Sequence, residues 1–250
     1  MQQTGSIYIK TALSAALLGF SVPTAAGDMA GDAKSSAASF NVTPLRLSLA
    51  SDEHATRMLV RNGANRPMAV QVRLFRWTQI GGKDVYAPSR DIAISPSIIK
   101  IGSGDTQTFH IVGQRHAANS AEQQYRIVID QLPDRSVAPS GMAKTMLRMT
   151  LPLFVNSDKV APAKLAYTLS NGALHLRNSG GATARVSRVM LTSPQFGALK
   201  VPAKGPLYVM SGSTIRVPLP AGARCDAADI RITGVIDKKN FDAAPAQNCT

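Results

Sequence analysis

The residues that could support catalytic or metal chemistry are few and scattered. The four histidines are His54, His110, His116 and His175. None has the His-Glu-x-x-His spacing that places two imidazoles on one helical face toward zinc. The acidic residues are mostly in expected loops, as are Asp52, Glu53, Asp84, Asp105 and Glu122. The sequence also has no Gly-x-Ser-x-Gly elbow and no phosphate-binding glycine loop. We therefore expect no enzymatic activity, no metal site and no cofactor.

The two cysteines, Cys225 and Cys249, lie close to the C-terminal end of the sequence. Two thiols with no histidine nearby fall short of the four ligands that zinc requires. In an exported chain such a pair can form a disulfide. We expect a disulfide that ties the last strands together.

The chain is strongly basic, with 28 Lys and Arg against 15 Asp and Glu, a net charge of +13. These cations are spread along the expected strands without a dense run, and few aromatic residues lie between them. Nucleic acid is therefore not an expected partner. A basic surface also attracts anionic proteins or a carboxylate, and the sequence favours such a partner.

The first 26 residues are typical of a secretory signal peptide. Lys10 is the only charge before Asp28, and the apolar run Thr11–Val22 ends at Pro23. This run is shorter than the roughly 18–20 residues of a membrane-spanning helix. Small residues, Thr24-Ala25-Ala26, form a cleavage site. We expect cleavage after residue 26, a flexible leader over 27–39, and no stable membrane insertion.

From Phe40 onward, short alternating apolar runs separated by Gly, Pro, Asn and Asp predict an all-β protein. Gly81-Gly82-Lys83-Asp84, for example, is a hairpin signal. About seven strands precede Val155, which is typical of an immunoglobulin-like sandwich. A similar set follows, after the linker-like stretch around Asn156–Pro162. The prediction is two immunoglobulin-like β-sandwich domains, an N-terminal one over 40–157 and a C-terminal one over 158–250.

The segment Met142–Val155 is the most apolar of these strands. Because strand side chains alternate between faces, one face carries Thr145, Leu147, Met149, Leu151 and Leu153. The other face carries Lys144, Met146, Arg148 and Thr150. Such an apolar face requires a cover. It either fills the core of its own domain or binds another protein.

Four segments resemble those of periplasmic pilus chaperones of the chaperone–usher pathway. They are Phe40–Leu47, Val60–Arg73, Tyr125–Pro133 and Leu151–Val155, in the family's order and spacing. The Leu-Pro-Leu-Phe-Val ending is similar to the divergent, archaic branch. The resemblance covers most of residues 40–155, whereas the C-terminal half matches only in size and β character.

The resemblance implies a periplasmic protein with two immunoglobulin-like domains in an L or boomerang arrangement. Its partners would be pilin subunits, which it binds by donating a β-strand, and an outer-membrane usher, to which it delivers them. The implied donor residues are Thr145, Leu147, Met149 and Leu151.

The family also anchors the subunit's C-terminal carboxylate with two basic residues. Arg46 matches the first of these bases. Pro152 replaces the lysine expected as the second. The anchor therefore either uses another base, with Arg126, Arg148 and Lys144 as candidates, or works through Arg46 alone.

Two other functions remain open from the sequence. One is a secreted structural or adhesive protein with two immunoglobulin-like domains, in which Met142–Val155 fills its own core. The other is an exported carbohydrate-active or carbohydrate-binding protein, which has neither an acid pair nor an aromatic platform to support it.

Overall fold

The structure of the protein is a computed structural model that describes residues 39–113, 121–133, 146–156, 158–170 and 172–249. The described parts contain nineteen β-strands. None of their segments forms a helix long and apolar enough to cross a membrane. The expected signal peptide, nearly all of the expected leader, and both Lys144 and Thr145 lie outside the described residues.

Ten strands form the first half of the described chain. They are β1 (Phe40–Thr43), β2 (Leu47–Leu49), β3 (Ala55–Asn62), β4 (Met68–Ile80), β5 (Lys83–Pro88), β6 (Ile92–Ser95), β7 (Ile98–Ile101), β8 (Thr106–Gly113), β9 (Gln123–Gln131) and β10 (Arg148–Val155). One sheet has the order β1-β3-β8-β6. The other has the order β2-β10-β9-β4-β5, with β7 also paired to β4.

Alternation along the strands builds the core between these two sheets. In β3, Met58 and Val60 point inward while their neighbours are exposed. On β9, Ile127 and Ile129 are fully buried, and Val128 between them is half-buried. The expected hairpin at Gly81-Gly82 joins β4 to β5, with positive φ at both glycines. Such a turn matches the twist of antiparallel strands.

The apolar residues between Phe40 and Leu49 form two strands, β1 and β2, rather than one. β1 pairs with β3 in one sheet, whereas β2 pairs with β10 in the other. The break comes at Pro44, which has no backbone N–H to give to a ladder. The chain changes sheets at that point, and this places Arg46 in the bend immediately before β2.

Nine strands form the second half of the described chain. They are β11 (Leu165–Ser170), β12 (Ala173–Asn178), β13 (Ala184–Ser193), β14 (Gly197–Lys200), β15 (Leu207–Val209), β16 (Thr214–Pro218), β17 (Arg231–Ile236), β18 (Lys239–Ala243) and β19 (Ala246–Asn248). The sheets are β16-β12-β11-β19 and β14-β13-β17-β18, with β15 paired to β13. A second apolar core, which includes Leu174, Leu191 and Ile232, lies between them.

The expected disulfide is present between Cys225 and Cys249, whose Cα atoms are 5.8 Å apart. It joins the loop after β16 to the residue that follows β19. The side-chain amide of Gln247 donates to the carbonyl oxygens of Cys225 and Ala227, each at 2.8 Å. The disulfide and these bonds attach the short, polar β19 to the second sandwich.

Candidate functional site

Strand β10 has one edge that is only partly paired. Along one side it pairs over its whole length with β9. Along the other side only Leu153–Val155 pair, in parallel, with the three residues of β2. Within the described chain, Arg148–Pro152 therefore have no strand on that side. An unpaired edge of this kind can accept a strand from another chain.

The inward face of β10 continues the core of the first sandwich. Leu151 is 3% exposed, and Leu153 and Val155 are fully buried. Leu147 and Met149 lie on the same face but are only half-buried against that core. The apolar face is thus covered at its C-terminal end and partly open at its N-terminal end.

The outward face of β10 carries exposed side chains at Arg148 and Thr150, and Met146, two residues before Arg148, is also exposed. The Arg148 guanidinium donates to Asp130, which also accepts from Arg73 at 2.6 Å. Burial alone would raise the pKa of Asp130, but the two arginines hold it below its ordinary value. Arg148 is therefore engaged in an ion pair on the sheet face.

A cleft of about 600 Å³ opens beside the unpaired edge, between the two sandwiches. The first sandwich contributes Leu45, Arg46, Arg126, Met149, Thr150, Leu151 and Pro152; the second contributes Arg185, Pro206, Tyr208, Asp237 and Lys238. The lining holds four cationic side chains and one carboxylate. A concave site with this balance attracts anions.

Arg126 lies directly opposite Pro152 in the β9–β10 ladder. Residues that face each other across antiparallel strands share a face, with Cβ atoms about 5 Å apart. Arg126 thus stands beside the position at which the resemblance predicts a lysine. Of the two candidate second bases that the structure describes, Arg126 lines the cleft and Arg148 pairs with Asp130. The third candidate, Lys144, lies outside the described residues.

The Arg126 guanidinium is held by aromatic rings. Its central carbon lies 3.6 Å from the ring centroid of Trp77 and 5.0 Å from that of Tyr208. Contacts of this type contribute roughly 0.5–2 kcal/mol, more where they are shielded from water. No ion pair among the described residues includes Arg126.

Arg46 also lines the cleft, but a carboxylate already contacts it. Its Nη1 donates to Oδ1 of Asp237 at 2.8 Å, and its guanidinium lies 4.5 Å from the centroid of the Phe154 ring. Asp237 lies in the turn between β17 and β18, where its φ is 45°. The pair joins the bend before β2 to the second sandwich.

An aromatic cluster forms the floor of this region. Trp77 and Phe154 from the first sandwich pack with Tyr208 and Met210 from the second. The edge of one ring meets the face of the other between Trp77 and Tyr208, at 5.2 Å between centroids. Gln79 reinforces the junction: its amide donates to the Tyr208 carbonyl at 2.8 Å and accepts from the Met210 N–H at 3.0 Å.

A second connection between the sandwiches involves the buried carboxylate of Glu122. One of its oxygens accepts from the backbone N–H of Thr183 at 2.7 Å, and from the Thr183 hydroxyl and the Gln124 amide. Together with the Gln79 bonds, this contact sets the position of the cleft-lining residues of the second sandwich.

Sequence reasoning did not identify Asp237, Tyr208 or Gln79 as part of this site. Asp237 follows an apolar strand and is of a residue type that is common in turns. No feature of the neighbouring sequence indicates that this turn faces Arg46. Among the residues that the structure describes, no group of three His, Cys, Asp or Glu side chains could hold a metal ion.

Comparison with known proteins gives a consistent result. Residues 39–161 match the family described as pili and flagellar-assembly chaperone, PapD N-terminal domain. No curated protein sequence is significantly similar to the chain.

Several solved structures share the fold. One is a chain of the CsuC–CsuE chaperone–tip adhesion subunit pre-assembly complex from archaic chaperone-usher Csu pili of Acinetobacter baumannii, with 23% identity and a TM-score of 0.66 over 85% of this chain and 100% of that chain. The YadV chaperone has 15% identity and a TM-score of 0.61, over 82% and 99% of the two chains. The SafA pilin–SafB chaperone complex of Salmonella enterica has 14% identity and a TM-score of 0.62, over 83% and 96%.

At these identities the similarity shows the fold. It confirms the expected all-β class with two immunoglobulin-like sandwiches, since the matches extend over both halves of the chain. The family match is more specific than the fold, because residues 39–161 match a domain of assembly chaperones. Residues 39–161 of this chain thus carry the PapD N-terminal domain of the pili and flagellar-assembly chaperones.

Proposed function

We propose that this protein is a periplasmic chaperone that binds pilin subunits by lending them strand β10 and delivers them to an outer-membrane usher. The observation that carries the proposal is the unpaired edge Arg148–Pro152, which runs directly into a cleft lined by Arg46 and Arg126. The N-terminal chaperone domain would span 40–157 and the second domain 158–250.

We infer that the incoming strand runs parallel to β10, in the direction that β2 already has. β2 closes the edge from Leu153 onward and would therefore limit the C-terminal end of that strand. That end would lie beside Arg46, the residue that precedes β2. A subunit whose chain ends there would place its terminal carboxylate in the cleft.

Arg126 and Arg46 would then anchor this carboxylate. A guanidinium can bind a carboxylate through two parallel N–H groups. Arg126 has no acidic partner in the described residues, whereas Arg46 is paired with Asp237. We therefore assign Arg126 as the second base, in place of the lysine that Pro152 replaces, and as the cation more readily engaged by the subunit.

The lent side chains would be Leu147 and Met149, together with Thr145 at the far end and Leu151 nearest the cleft. Because Leu151 is already buried, it would join the chaperone's core to that of the subunit. Leu147 and Met149 remain half-buried and have room to enter the subunit's groove. The flexible methionine side chain adapts to grooves of different shape.

Co-expression with a pilin subunit from the same organism tests the proposal. The expected product is a soluble complex of one chaperone and one subunit. Arg126→Gln should reduce the yield of complex strongly. The matched control is Arg57→Gln, which removes the same charge from an exposed position on β3 in the opposite sheet. A subunit that aggregates equally with and without the chaperone would contradict strand lending.

The periplasmic location rests on the signal-peptide pattern of residues 1–26 and agrees with the disulfide. The mass of the exported protein should equal that of a chain beginning at Gly27. Delivery to an usher is tested by adding a purified usher to the chaperone–subunit complex and measuring release of the subunit.

One observation favours the alternative of a structural or adhesive secreted protein. Leu151, Leu153 and Val155 fill the core of their own sandwich, as that alternative requires. The co-expression experiment distinguishes the two functions, because a structural or adhesive protein would form no complex with a pilin subunit.

A further inference from the structure

The guanidinium of Arg126 lies against rings that come from both sandwiches. Trp77 is fully buried on β4 of the first sandwich, and Tyr208 is half-buried on β15 of the second. Their centroids lie 3.6 Å and 5.0 Å from the guanidinium carbon. The sandwich to which Arg126 belongs supplies only the first of these contacts.

We propose that Tyr208 is a positioning residue that completes an aromatic cradle for Arg126, so that the second sandwich takes part in binding the subunit's carboxylate. This inference rests on the proposed function, because it assumes that Arg126 is an anchor. It adds a role for the second sandwich, which lends no strand.

The chemistry of arginine explains why a cradle would serve this purpose. The planar guanidinium stacks with its faces on aromatic rings while its N–H groups lie at the edge of the plane. Contacts with Trp77 and Tyr208, whose ring planes are 79° apart, restrict the orientation of the group from two directions without using its hydrogen bonds. A carboxylate would meet an arginine that has lost little further freedom on binding, which favours affinity.

The position of Tyr208 is itself determined by contacts across the junction. The Gln79 amide donates to its backbone carbonyl at 2.8 Å, and the Trp77 ring meets its ring at 5.2 Å. A Phe ring could make the same ring contacts with both Trp77 and Arg126. Removal of the ring would leave Trp77 as the one cation–π partner of Arg126 among the described residues. The side chain of Tyr208, rather than its hydroxyl, is therefore the expected determinant.

Trp77 provides a direct spectroscopic test, since it is the only tryptophan in the chain. Arg126→Gln should change the Trp77 emission, because the cation is removed from the ring. In a protein that already carries Tyr208→Ala, adding Arg126→Gln should change the Trp77 emission clearly less. In a protein that carries Tyr208→Phe, adding Arg126→Gln should change the emission as much as it does in the unmodified protein. An equal change in all three backgrounds would overturn the cradle, whatever the protein binds.

The second measurement uses two synthetic peptides with the C-terminal sequence of the subunit that co-purifies with the chaperone. One has a free C-terminal carboxylate and the other a C-terminal amide. The ratio of their affinities reports the carboxylate contact and is insensitive to a general loss of folding. Tyr208→Ala should lower this ratio about fivefold, the size expected for loss of a partly shielded cation–π contact. Tyr208→Phe should restore it.

The control for a structural effect is Tyr167→Ala, which removes a half-buried tyrosine stacked on Phe241 within the second sandwich. It should destabilise the protein without changing the ratio. An unchanged ratio in Tyr208→Ala would overturn the positioning role. If the unmodified protein binds both peptides equally, the assignment of Arg126 as a carboxylate anchor is wrong. The emission experiment tests the ring contacts of Arg126 independently of that assignment.

Discussion

Replacing Asp237 by Asn should make the cleft a better carboxylate site. Asp237 is the acid that contacts Arg46, at 2.8 Å, with the two side chains 41% and 37% exposed. An incoming carboxylate that uses Arg46 must displace this internal carboxylate or share its partner. The binding free energy of the incoming carboxylate is then reduced by the free energy of the Arg46–Asp237 ion pair.

The size of the effect follows from the exposure of the pair. Ion pairs at this level of exposure contribute roughly 0.2–1 kcal/mol. Freeing Arg46 should thus raise the affinity for the free-carboxylate peptide by about 1.4- to 5-fold at low salt. The gain should shrink as the ionic strength is raised from about 0.01 M to about 1 M, because the screening length falls from about 30 Å to about 3 Å.

The assay is a titration of the free-carboxylate and amidated peptides into each variant at several salt concentrations. Only the free-carboxylate peptide should bind more tightly to Asp237→Asn. Asp226→Asn is the matched control: it removes an exposed carboxylate that pairs with Arg224 in the second sandwich, outside the lining of the cleft. Weaker or unchanged binding by Asp237→Asn would refute the reasoning and show that Asp237 supports the site.

Three further predictions concern the fold and the lent strand. Leu151→Ala should lower the free energy of unfolding by about 2–5 kcal/mol in a denaturant titration, because its side chain is buried. Leu147→Asp should instead reduce subunit capture more than it reduces stability. If Leu147→Asp affects mainly stability and Leu151→Ala mainly capture, the lent face is assigned wrongly. The carboxyl of Asp130 has a lowered pKa in the folded state, so the stability it contributes is present at neutral pH and is lost as the pH falls through that lowered pKa. Denaturation at several pH values should show this acid-dependent loss diminished in Asp130→Asn, and an identical pH profile would contradict it. Replacing Cys225 and Cys249 by Ser should reduce the free energy of unfolding by about 3 kcal/mol, as expected for a disulfide with a sequence separation of 24. An unchanged denaturation midpoint would show that the disulfide does not stabilise the fold.

Local patterns in the sequence were sufficient for the β class, the hairpin at Gly81-Gly82 and the disulfide. Alternation also predicted that Leu147, Met149 and Leu151 share one face of β10. These features depend on a period of two along the strand, or on turn chemistry within a few residues. The same patterns do not predict the polar strands β18 and β19, because the apolar alternation in their sequences is weak.

The break between β1 and β2 shows a local signal whose consequence was global. A strand accepts a proline such as Pro44 at an edge or at its start. The structure shows that the chain changes sheets there. It is this change that places Arg46 at the entrance of the cleft and limits the closed part of the β10 edge to Leu153–Val155.

The sequence alone determined that the chain is a two-part β protein with an apolar strand before Val155, and its motifs indicated a pilus chaperone. Only the tertiary structure decided which cations meet in the cleft. The choice of Arg126 depends on the β9–β10 register, and the contact of Arg46 with Asp237 joins residues 191 positions apart. Such contacts follow from how whole sheets pack, and no period or spacing along the chain encodes them. The same packing brings Tyr208 to Arg126 across the junction of the two sandwiches.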